Sequence, residues 1–479
     1  MREIAPEDLR RRLAFENPWW RAGGEAARRT RDMPRRAHFD AFVQRALQPG
    51  HGRPLVLTGP RRSGKTVLID QTIQAMREQG VPGRAICRVG LDNPAYAGVA
   101  LPSFVEWFID SWGTLKPALA YVVLDAVQYL PDWRAQLGGL AESHPSIRFI
   151  AVATAIEPDA PHPSADFLLP PLAFAEYLRF LRGEAADDEG MAALRIGRDF
   201  RDYVNYGCFP EHASGHKFGG GFAAREAADT LAHAVLRDLP GPFAVQDPQE
   251  FNRLFALLAY NVGDELSLID LVRLTGISKN TIVRYLDYME AGHMIVRLSR
   301  LDERADRFLR ETHFKAYLVN PALRAALFGP VGADDPMLPR LAENALVLQY
   351  LHTGDVSNLF YARWPGGEVD FVVLDRKTDD PWGALLVQWT APEPGANDPF
   401  AGLAEFVRRH PRLKHVRVLA DQPYPIPPGP DRDFTCEAIA DYCRRVGAAA
   451  IDSSLNRRPM GDLSRAPSSP DADATRSAG

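Results

Sequence analysis

The sequence has few cysteines, no long apolar run and no excess of positive charge. Its 479 residues include four cysteines, and no two of them form a CxxC pair. This pattern excludes a disulfide-rich scaffold or a cysteine-based metal site and indicates reduced thiols. No stretch approaches the roughly 18 consecutive apolar residues that span a bilayer, and the N-terminus lacks the apolar core of a signal peptide. We therefore expect a cytoplasmic protein without a membrane partner.

The charge and the hydrophobic content define the broad class of the protein. The 56 lysines and arginines are outnumbered by 61 aspartates and glutamates, which gives a net charge of -5 and excludes attraction of the whole molecule to nucleic acid. The 46% of hydrophobic residues suffice for folded cores and exclude a disordered or fibrous chain. At roughly 100–200 residues per domain, the length predicts about three domains.

Apolar runs and helical periods change along the chain and predict an α/β fold class. From residue 54 to 172, short apolar runs without polar alternation lie between helical patterns, which is typical of a parallel sheet covered on both faces. Helical patterns then dominate, and strand patterns return near residue 312. The predicted segments are an N-terminal arm (1–50), a P-loop core (51–172), a helical lid region (173–249), a winged helix-turn-helix (250–311), a second α/β domain (312–451) and a disordered tail (452–479).

The strongest motif is a phosphate-binding loop with the sequence GPRRSGKT, a full match to GxxxxGK[ST]. An apolar strand precedes it and a helix follows it, as the motif requires. Its glycines let backbone N–H groups point at phosphates, Lys65 reaches the β- and γ-phosphates, and Thr66 offers its hydroxyl to Mg²⁺. The predicted binding residues are Gly59, Pro60, Arg61, Arg62, Ser63, Gly64, Lys65 and Thr66.

A P-loop needs an acidic partner for Mg²⁺ at the end of a buried strand, and Asp125 meets this requirement. ATP-hydrolysing relatives usually place a glutamate directly after this aspartate, whereas this chain has Ala126. Loss of a general base costs about 10²–10⁴ in rate, so nucleotide binding can persist while hydrolysis becomes slow. Asp92 and Gln128 are candidates to replace the missing group. Thr154 fits a residue that senses the γ-phosphate, and it fits an ordinary strand cap equally well.

Residues 266–300 read as a winged helix-turn-helix, in which a first helix ends at a glycine and Ser278 caps the second helix. Apolar residues of the second helix form one stripe, which leaves polar residues exposed for base edges and phosphates. An alternative is that the motif packs between domains or binds protein. The candidate DNA-binding residues are Lys279, Asn280, Thr281 and Arg284, followed in the wing by Arg297, Arg300, Arg304, Arg307 and Arg310.

Several motifs in a fixed order resemble those of a prokaryotic family of AAA-type P-loop ATPases, within the AAA+ superfamily, that carry a C-terminal domain of unknown function. The resemblance implies ATP and Mg²⁺ as cofactors and covers nearly the whole chain except the tail. The motifs are NPWW (17–20), GPRRSGKT (59–66), LDAVQYLPDW (124–133), LPPLAFAEYL (169–178), YVNYGCFPE (203–211), VLRDL (235–239) and EVDFVV (368–373).

The C-terminal domain resembles a restriction-nuclease-like fold, in which carboxylates and an E-x-K motif assemble one Mg²⁺ site. The resemblance assigns the first two positions to Glu343 and Asp370, with Glu368 adjacent. It assigns the E and K positions to Gln388 and Thr390, which are neutral. We therefore expect a degenerate site with a structural or binding role rather than cleavage.

These features together predict an ATP-binding AAA-type protein, and by resemblance an ATPase. In this hypothesis Mg·ATP drives or gates a conformational change linked to DNA or protein binding. The alternative is a nucleotide-gated DNA-binding or protein-docking switch that hydrolyses ATP negligibly. An ATP-dependent nuclease is the third hypothesis, and the incomplete E-x-K motif gives it the least support.

Overall fold

The computed structural model describes residues 4–21, 30, 32–50, 52–112, 117–154, 166–183, 193–215, 245–308, 312–353, 356–393 and 397–456. The VLRDL motif, Arg310 and residues 457–479 of the predicted tail lie outside the described residues. Among the described helices, none combines the length and the apolarity that crossing a membrane requires.

The N-terminal arm is fastened to the sheet that follows it. The indole nitrogens of Trp19 and Trp20 both donate to the carbonyl oxygen of Ile86, at 2.9 and 2.7 Å. Asn17 adds a second attachment, because its side chain exchanges two hydrogen bonds with the backbone of Arg88. The arm contains helix α1 (Pro6–Glu16), a 3₁₀ turn (Pro18–Trp20) and helix α2 (Phe39–Leu47).

A five-stranded, fully parallel sheet forms the P-loop core, with the strand order β2-β3-β4-β1-β5. This arrangement confirms the predicted parallel sheet. Because all five strands run in the same direction, their carboxyl ends lie at one edge, where α/β sheets bind ligands. The elements are β1 (Leu55–Thr58), α3 (Lys65–Glu78), β2 (Ile86–Gly90), α4 (Leu101–Ser111), β3 (Ala120–Asp125), α5 (Trp133–Ser143), β4 (Ile147–Val152) and β5 (Asp166–Leu168).

Both faces of this sheet are buried, which explains the absence of polar alternation in its strands. Val122 and Leu124 pack on the side of α4 and α5, whereas Tyr121 and Val123 pack on the side of α2 and α3. Successive side chains of a strand point to opposite faces, so an apolar run is needed to bury both.

A helical region follows the parallel sheet. Its described helices pack around Phe174, Tyr177 and Tyr203, which belong to one large core that also includes residues of the C-terminal domain. A π-helical turn at Tyr203–Gly207 brings Gly207 against the ring of Tyr177. The helices are α6 (Phe174–Arg182), α7 (Ala193–Asp202), α8 (Pro210–Gly215) and α9 (Pro248–Tyr260).

The region predicted as a winged helix-turn-helix contains two short helices after α9 and a three-stranded antiparallel sheet of order β6-β8-β7. The last of these strands, β8, was expected in the next domain. The predicted boundary at residue 311 therefore falls between two paired strands. The elements are β6 (Glu265–Ser267), α10 (Leu268–Thr275), α11 (Lys279–Ala291), β7 (Ile295–Leu301) and β8 (His313–Leu318).

The C-terminal α/β region continues the same sheet, because β7 pairs in parallel with β9 (Leu359–Trp364), the first strand after β8. The complete sheet has eight strands in the order β13-β12-β11-β10-β9-β7-β8-β6. Its last helix extends beyond residue 451, where the tail was predicted to begin. The elements are α12 (Ala322–Phe328), α13 (Leu338–Leu351), β9 (Leu359–Trp364), β10 (Gly367–Leu374), β11 (Pro381–Val387), α14 (Ala401–Arg409), β12 (His415–Ala420), β13 (Thr435–Ala438) and α15 (Ile439–Asn456).

Candidate functional site

Two glycines shape the loop between β1 and α3. Gly59 has φ +145°, and a Cβ at this position would lie 2.3 Å from the carbonyl oxygen of Leu169. Gly64 has φ +92° and directly precedes the first residue of α3. Only glycine adopts such conformations without strain. The loop therefore curls into a tight turn that ends at a helix N-terminus, the arrangement that binds phosphates.

Lys65 is buried inside this loop. Its Nζ donates to the carbonyl oxygens of Gly59 and Pro60, at 2.8 and 2.7 Å. Burial lowers the pKa of Lys65 to about 7, and the carboxylate of Asp125 opposes this shift only in part. A negatively charged phosphate beside Nζ would restore the ammonium form. The donor set thus fits a nucleotide phosphate.

Asp125 lies opposite the start of α3, at the end of β3. Its Oδ2 is 3.5 Å from the hydroxyl of Thr66, so the two predicted Mg²⁺ ligands face each other. The same oxygen accepts a hydrogen bond of 2.8 Å from Arg88, whose guanidinium also pairs with Asp70. A hydroxyl and a carboxylate are oxygen ligands that suit Mg²⁺. Arg88 was not predicted, although a charged residue within a buried strand was a visible signal.

Of the three polar residues that were considered near Ala126, the structure brings together Gln128 and Thr154 but not Asp92. Ala126 adopts a left-handed conformation with φ +63° and is followed by a 3₁₀ turn that contains Gln128. The side-chain oxygen of Gln128 accepts a hydrogen bond of 3.3 Å from the backbone N–H of Thr154. The buried hydroxyl of Thr154 has no partner among the described residues. Gln128 and Thr154 are thus brought together, whereas Asp92 lies exposed beyond the end of β2.

The two arginines of the loop reach outward to other parts of the chain. Arg61 donates to the hydroxyl of Tyr129 at 2.9 Å. Arg62 has φ +64° and lies 3.4 Å from Glu211, at the end of the YVNYGCFPE motif. Ser63, which lies between Arg62 and Gly64 in the sequence, is buried. The loop is therefore held by contacts to the helical region as well as by its own turn.

A buried arginine of the N-terminal arm, Arg36, also holds the loop. Its guanidinium donates to the carbonyl oxygen of Ser63 and to that of Pro170. It also forms a bidentate ion pair with Glu176, with distances of 2.8 and 3.0 Å. Burial alone would raise the pKa of Glu176, but the charge and hydrogen bonds of Arg36 outweigh it and lower this pKa to about 2. Nothing local distinguishes Arg36 from its neighbouring arginines, so the sequence did not reveal it.

A second polar site lies in the C-terminal region, in a cavity of about 440 Å³ whose lining includes Arg340, Glu343, Glu368 and Asp370. Two carboxylates of this cavity pair with a buried lysine that was not predicted. Nζ of Lys315 lies 2.9 Å from Glu368 and 3.1 Å from Asp370. Lys315 belongs to β8, and β7 and β9 lie between it and β10, so no sequence spacing could link it to this site.

Glu343 is the most strongly perturbed carboxyl group of this cavity. Burial raises its pKa to about 7, the charge of Asp370 adds to the shift, and Lys315 and Arg340 oppose it. Arg340 donates to one carboxylate oxygen at 2.9 Å, and the hydroxyl of Tyr317 donates to the other at 3.2 Å. Glu343 and Asp370 thus line the same cavity.

Gln388 and Thr390 lie outside this cavity. Both come after the last residue of β11, and the amide of Gln388 donates to the carbonyl oxygen of Thr390 at 3.1 Å. Two residues of β11, Leu386 and Val387, line the cavity, and the backbone N–H of Val387 donates to Asp370 at 2.9 Å. The positive charges next to the carboxylates therefore come from Lys315 and Arg340.

Helix α11 exposes three of the four predicted DNA-binding residues, Lys279, Asn280 and Arg284. Thr281 is half-buried. Its backbone N–H and its hydroxyl both form hydrogen bonds with the hydroxyl of the N-cap residue Ser278. The apolar stripe of this helix is buried except for a half-buried Val283. It consists of Ile282, Val283, Tyr285, Leu286 and Met289.

The arginines of the predicted wing are largely engaged in ion pairs. Arg297 pairs with Asp287 at 2.9 Å and also with Glu290. Arg300 lies 3.6 Å from Glu265, and Arg307 lies 3.3 Å from Asp379. The local positive charge expected in this region is therefore partly neutralised by neighbouring carboxylates.

Comparisons with known proteins match two parts of the chain to described families. Residues 51–178 match a family described as "AAA domain", and residues 197–334 match one described as "Domain of unknown function (DUF8612)". An uncharacterized protein of Haemophilus influenzae is 23% identical over 344 residues, which cover 68% of this chain and 80% of that protein.

Two solved structures overlap with about half or more of the chain. The replication initiator DnaA bound to AMPPCP and single-stranded DNA is 14% identical, with a TM-score of 0.29, over 54% of this chain and 88% of that one. Cdc6p from Pyrobaculum aerophilum is 13% identical, with a TM-score of 0.26, over 62% and 94%. At such scores the overlap does not bear on the function of this chain. The loop and the parallel sheet give a P-loop domain, and residues 51–178 of it are similar to the AAA domain family.

Proposed function

We propose that the chain binds Mg·ATP in the loop of residues 59–66 and uses the nucleotide state to change the arrangement of its C-terminal region. The observation that carries this proposal is the 3.5 Å approach of Thr66 to Asp125, at the end of the loop that buries Nζ of Lys65. This set combines a phosphate-binding cation with two oxygen ligands for Mg²⁺. Thr66 and Asp125 would hold Mg²⁺, which would offset the negative charge of the phosphates.

A continuous set of polar contacts supports transmission from the loop to the C-terminal region. Arg36 joins the backbone of Ser63 to Glu176 on α6. The backbone N–H of Phe174, at the start of α6, donates to the side chain of Gln349 on α13 at 2.9 Å. The same helix carries Glu343, nearly two turns before Gln349. A shift of the loop on nucleotide binding would therefore act on α6 and through it on α13.

Slow turnover is part of the proposal, because no carboxylate follows Asp125. Gln128 is the candidate group for orienting the attacking water, since its side chain already contacts the backbone of Thr154. An amide orients a water but does not accept its proton as a carboxylate does. We therefore infer nucleotide binding with weak hydrolysis, in which a glutamate at position 126 would increase the rate.

The test measures ATP binding and steady-state hydrolysis for the full chain and its Lys65→Ala, Gln128→Ala and Ala126→Glu variants. We expect Lys65→Ala to abolish binding, and Ala126→Glu to raise turnover at least tenfold without tighter binding. Gln128→Ala should lower the residual turnover of the wild-type chain. Failure of the wild-type chain to bind ATP would overturn the proposal, and rapid wild-type turnover would overturn its slow-hydrolysis part.

Transmission to α13 has its own test, hydrogen exchange with and without ATP·Mg²⁺. We expect ATP to change the protection of backbone amides in α13 of the wild-type chain. Glu176→Gln weakens the pair with Arg36 and should reduce that change while ATP still binds. Glu405→Gln on the distant helix α14 is the matched control. An unchanged α13 response in Glu176→Gln would contradict this route.

DNA contact through α11 is a second candidate function, favoured by the exposure of Lys279, Asn280 and Arg284 on one capped helix. Removal of one side chain that binds a phosphate lowers the dependence of affinity on salt by about one unit of log–log slope. Lys279→Ala with Arg284→Ala should therefore weaken DNA binding and flatten this slope. Arg273→Ala, at an exposed arginine of α10 paired with Asp270, is the control. An unchanged slope in the double variant would favour a protein partner.

A further inference from the structure

Three side chains from distant parts of the chain meet beneath the P-loop domain. His38 directly precedes helix α2, Glu176 lies on α6, and His352 directly follows α13. All three are buried, and one ligand atom from each lies within 4.8 Å of the other two. The rings of His38 and His352 face each other with centroids 5.3 Å apart. Glu176 also pairs with Arg36, which holds the P-loop, whereas neither histidine belongs to the nucleotide site described above.

Both imidazoles have an unused ring nitrogen. Nε2 of His352 lies 3.0 Å from the carbonyl oxygen of Pro171, a contact in which the ring must donate. This fixes the tautomer and leaves a lone pair on Nδ1, which has no hydrogen-bond partner among the described residues. Nδ1 of His38 is equally buried and without a partner there. Buried polar atoms are normally hydrogen-bonded, so one orphaned nitrogen in each of two neighbouring rings needs an explanation.

Burial keeps both rings in the form that binds metals. It lowers the pKa of His38 to about 4 and that of His352 to about 3; the charge of Glu176 opposes this shift and that of Arg36 adds to it. Both imidazoles are therefore neutral near pH 7, and neutral imidazole is the metal-binding form. A ring N–H that donates to a backbone carbonyl, as that of His352 does to Pro171, is the usual outer support of a metal-binding histidine.

Glu176 retains capacity for one more partner. A carboxylate accepts about four hydrogen bonds. One oxygen of Glu176 accepts from Arg36 and from the backbone N–H of Ala37, and the other accepts from Arg36 alone among the described residues. The oxygen that accepts from Arg36 alone therefore keeps a position for one more partner. Carboxylates that bind metals are commonly hydrogen-bonded in this way by outer residues.

We propose that His38, Glu176 and His352 form a structural binding site for a divalent transition metal of the zinc class. Two imidazoles and one carboxylate are ligands that Zn²⁺ and Co²⁺ accept and that Mg²⁺ and Ca²⁺ do not favour. With bonds near 2.0–2.1 Å, a tetrahedral ion that takes these three ligands and one water would hold them roughly 3.3 Å apart. The three groups would have to close by about 1.5 Å at most from their 4.8 Å limit.

The position of the site gives the metal a connecting role. It would join the N-terminal arm, the helical region and the C-terminal region at one point, because each contributes one ligand. The positive charge of Arg36 beside Glu176 opposes a cation, so we expect weaker binding than in sites with anionic thiolate ligands. A metal here would stabilise the contact between the P-loop domain and α13 without touching the nucleotide.

The test uses the full chain after removal of metals with a chelator. Zn²⁺ is titrated by calorimetry, Co²⁺ is followed by its visible absorption, and the melting temperature is measured with and without Zn²⁺. We expect one tightly bound Zn²⁺ or Co²⁺ per chain, a tetrahedral Co²⁺ spectrum and a higher melting temperature with Zn²⁺. Mg²⁺ should not compete for this site.

Two variants and two controls locate the ion. His38→Asn and His352→Gln should each lower the Zn²⁺ affinity at least tenfold and remove the Zn²⁺-dependent rise in melting temperature. His144→Gln, at a histidine outside the cluster, and Thr66→Ala, in the nucleotide site, should leave Zn²⁺ binding unchanged. Failure of the wild-type chain to bind Zn²⁺, or equal binding by His352→Gln, would overturn the proposal. Circular dichroism verifies that each variant is folded, and a folded His38→Asn that retains the Co²⁺ spectrum would also overturn it.

Discussion

Nζ of Lys315 lies 3.1 Å from a carboxylate oxygen of Asp370, although two strands of the sheet separate β8 from β10. The same ammonium lies 2.9 Å from Glu368. The charges of both carboxylates raise the pKa of Lys315 above its ordinary value and outweigh the opposite effect of burial. The site that the resemblance assigns to a metal thus contains a permanent internal cation.

The first prediction concerns the stability that this cation provides. Lys315→Met removes the ammonium and leaves two carboxylates without their buried partner. Removal of one member of a buried pair costs about 3–5 kcal/mol. Urea unfolding at pH 7.5 should show a loss of this order, whereas Lys377→Met, at an exposed lysine, should cost less than about 0.5 kcal/mol. Equal stability of the two variants would contradict the central role of Lys315.

The second prediction concerns the pH dependence of stability that arises from Glu343. Its pKa is raised to about 7 in the folded chain from an ordinary 4.5. The folded state therefore holds this proton more tightly than the unfolded state, and stability falls as the pH rises from about 4.5 to 7. At 1.36 kcal/mol per pKa unit, the complete loss is at most about 3 kcal/mol.

Glu343→Gln carries an uncharged amide that resembles the protonated carboxyl group, so this variant should not lose stability as the pH rises. Its free energy of unfolding should increase relative to that of the wild-type chain between pH 5 and pH 8, by up to about 3 kcal/mol. Glu405→Gln is the control, because hydrogen bonds from Arg409 lower the pKa of Glu405. The prediction fails if the relative stability of Glu343→Gln is constant with pH or decreases as the pH rises.

The third prediction links nucleotide binding to proton uptake. The pKa of Lys65 is about 7 in the free chain, so its side chain is mostly neutral at pH 8.5. Phosphate oxygens beside Nζ favour the ammonium form. Calorimetry in buffers of different ionisation enthalpy should show uptake of about one proton per ATP at pH 8.5. Lys279→Ala should show the same uptake, and binding without proton uptake would refute the lowered pKa.

The fourth prediction separates a steric clash from backbone strain in two glycines. Gly59→Ala places a Cβ 2.3 Å from the carbonyl oxygen of Leu169 in addition to the strain of its positive φ. It should cost about 2–3 kcal/mol and weaken ATP binding at least tenfold. Gly80→Ala also has a positive φ but no neighbour within 4 Å, so it should cost about 1–2 kcal/mol and leave ATP binding unchanged. Equal ATP affinity of the two variants would disprove the role of Gly59.

Local motifs predicted the P-loop core well, and distant pairings could not be predicted. Residues 59–66 are contiguous, and Asp125 ends an apolar run, so spacing alone indicates both. The pair of Arg36 and Glu176 joins positions 140 residues apart, and no local period reveals such a contact. Lys315 was missed for the same reason, since its place near Asp370 depends on the order of strands in the sheet.

Strand ends and domain limits were also beyond the reach of the sequence. The degenerate motif was assigned to Gln388 and Thr390 on the assumption that the strand continues, whereas β11 ends at Val387. The predicted domain boundary at residue 311 followed the return of strand patterns in the sequence, but β7 and β8 pair with each other across this boundary. Such limits are set by hydrogen bonds between distant strands, which leave little trace in local composition.

The parallel pairing of β7 with β9 has a practical consequence for dividing this chain. A fragment that stops before residue 313 would leave β7 with two open edges, because β8 on one side and β9 on the other both come later in the chain. Open strand edges recruit other chains. Expression of the DNA-binding candidate without the following strands should therefore yield aggregates, and a soluble fragment has to continue through β13.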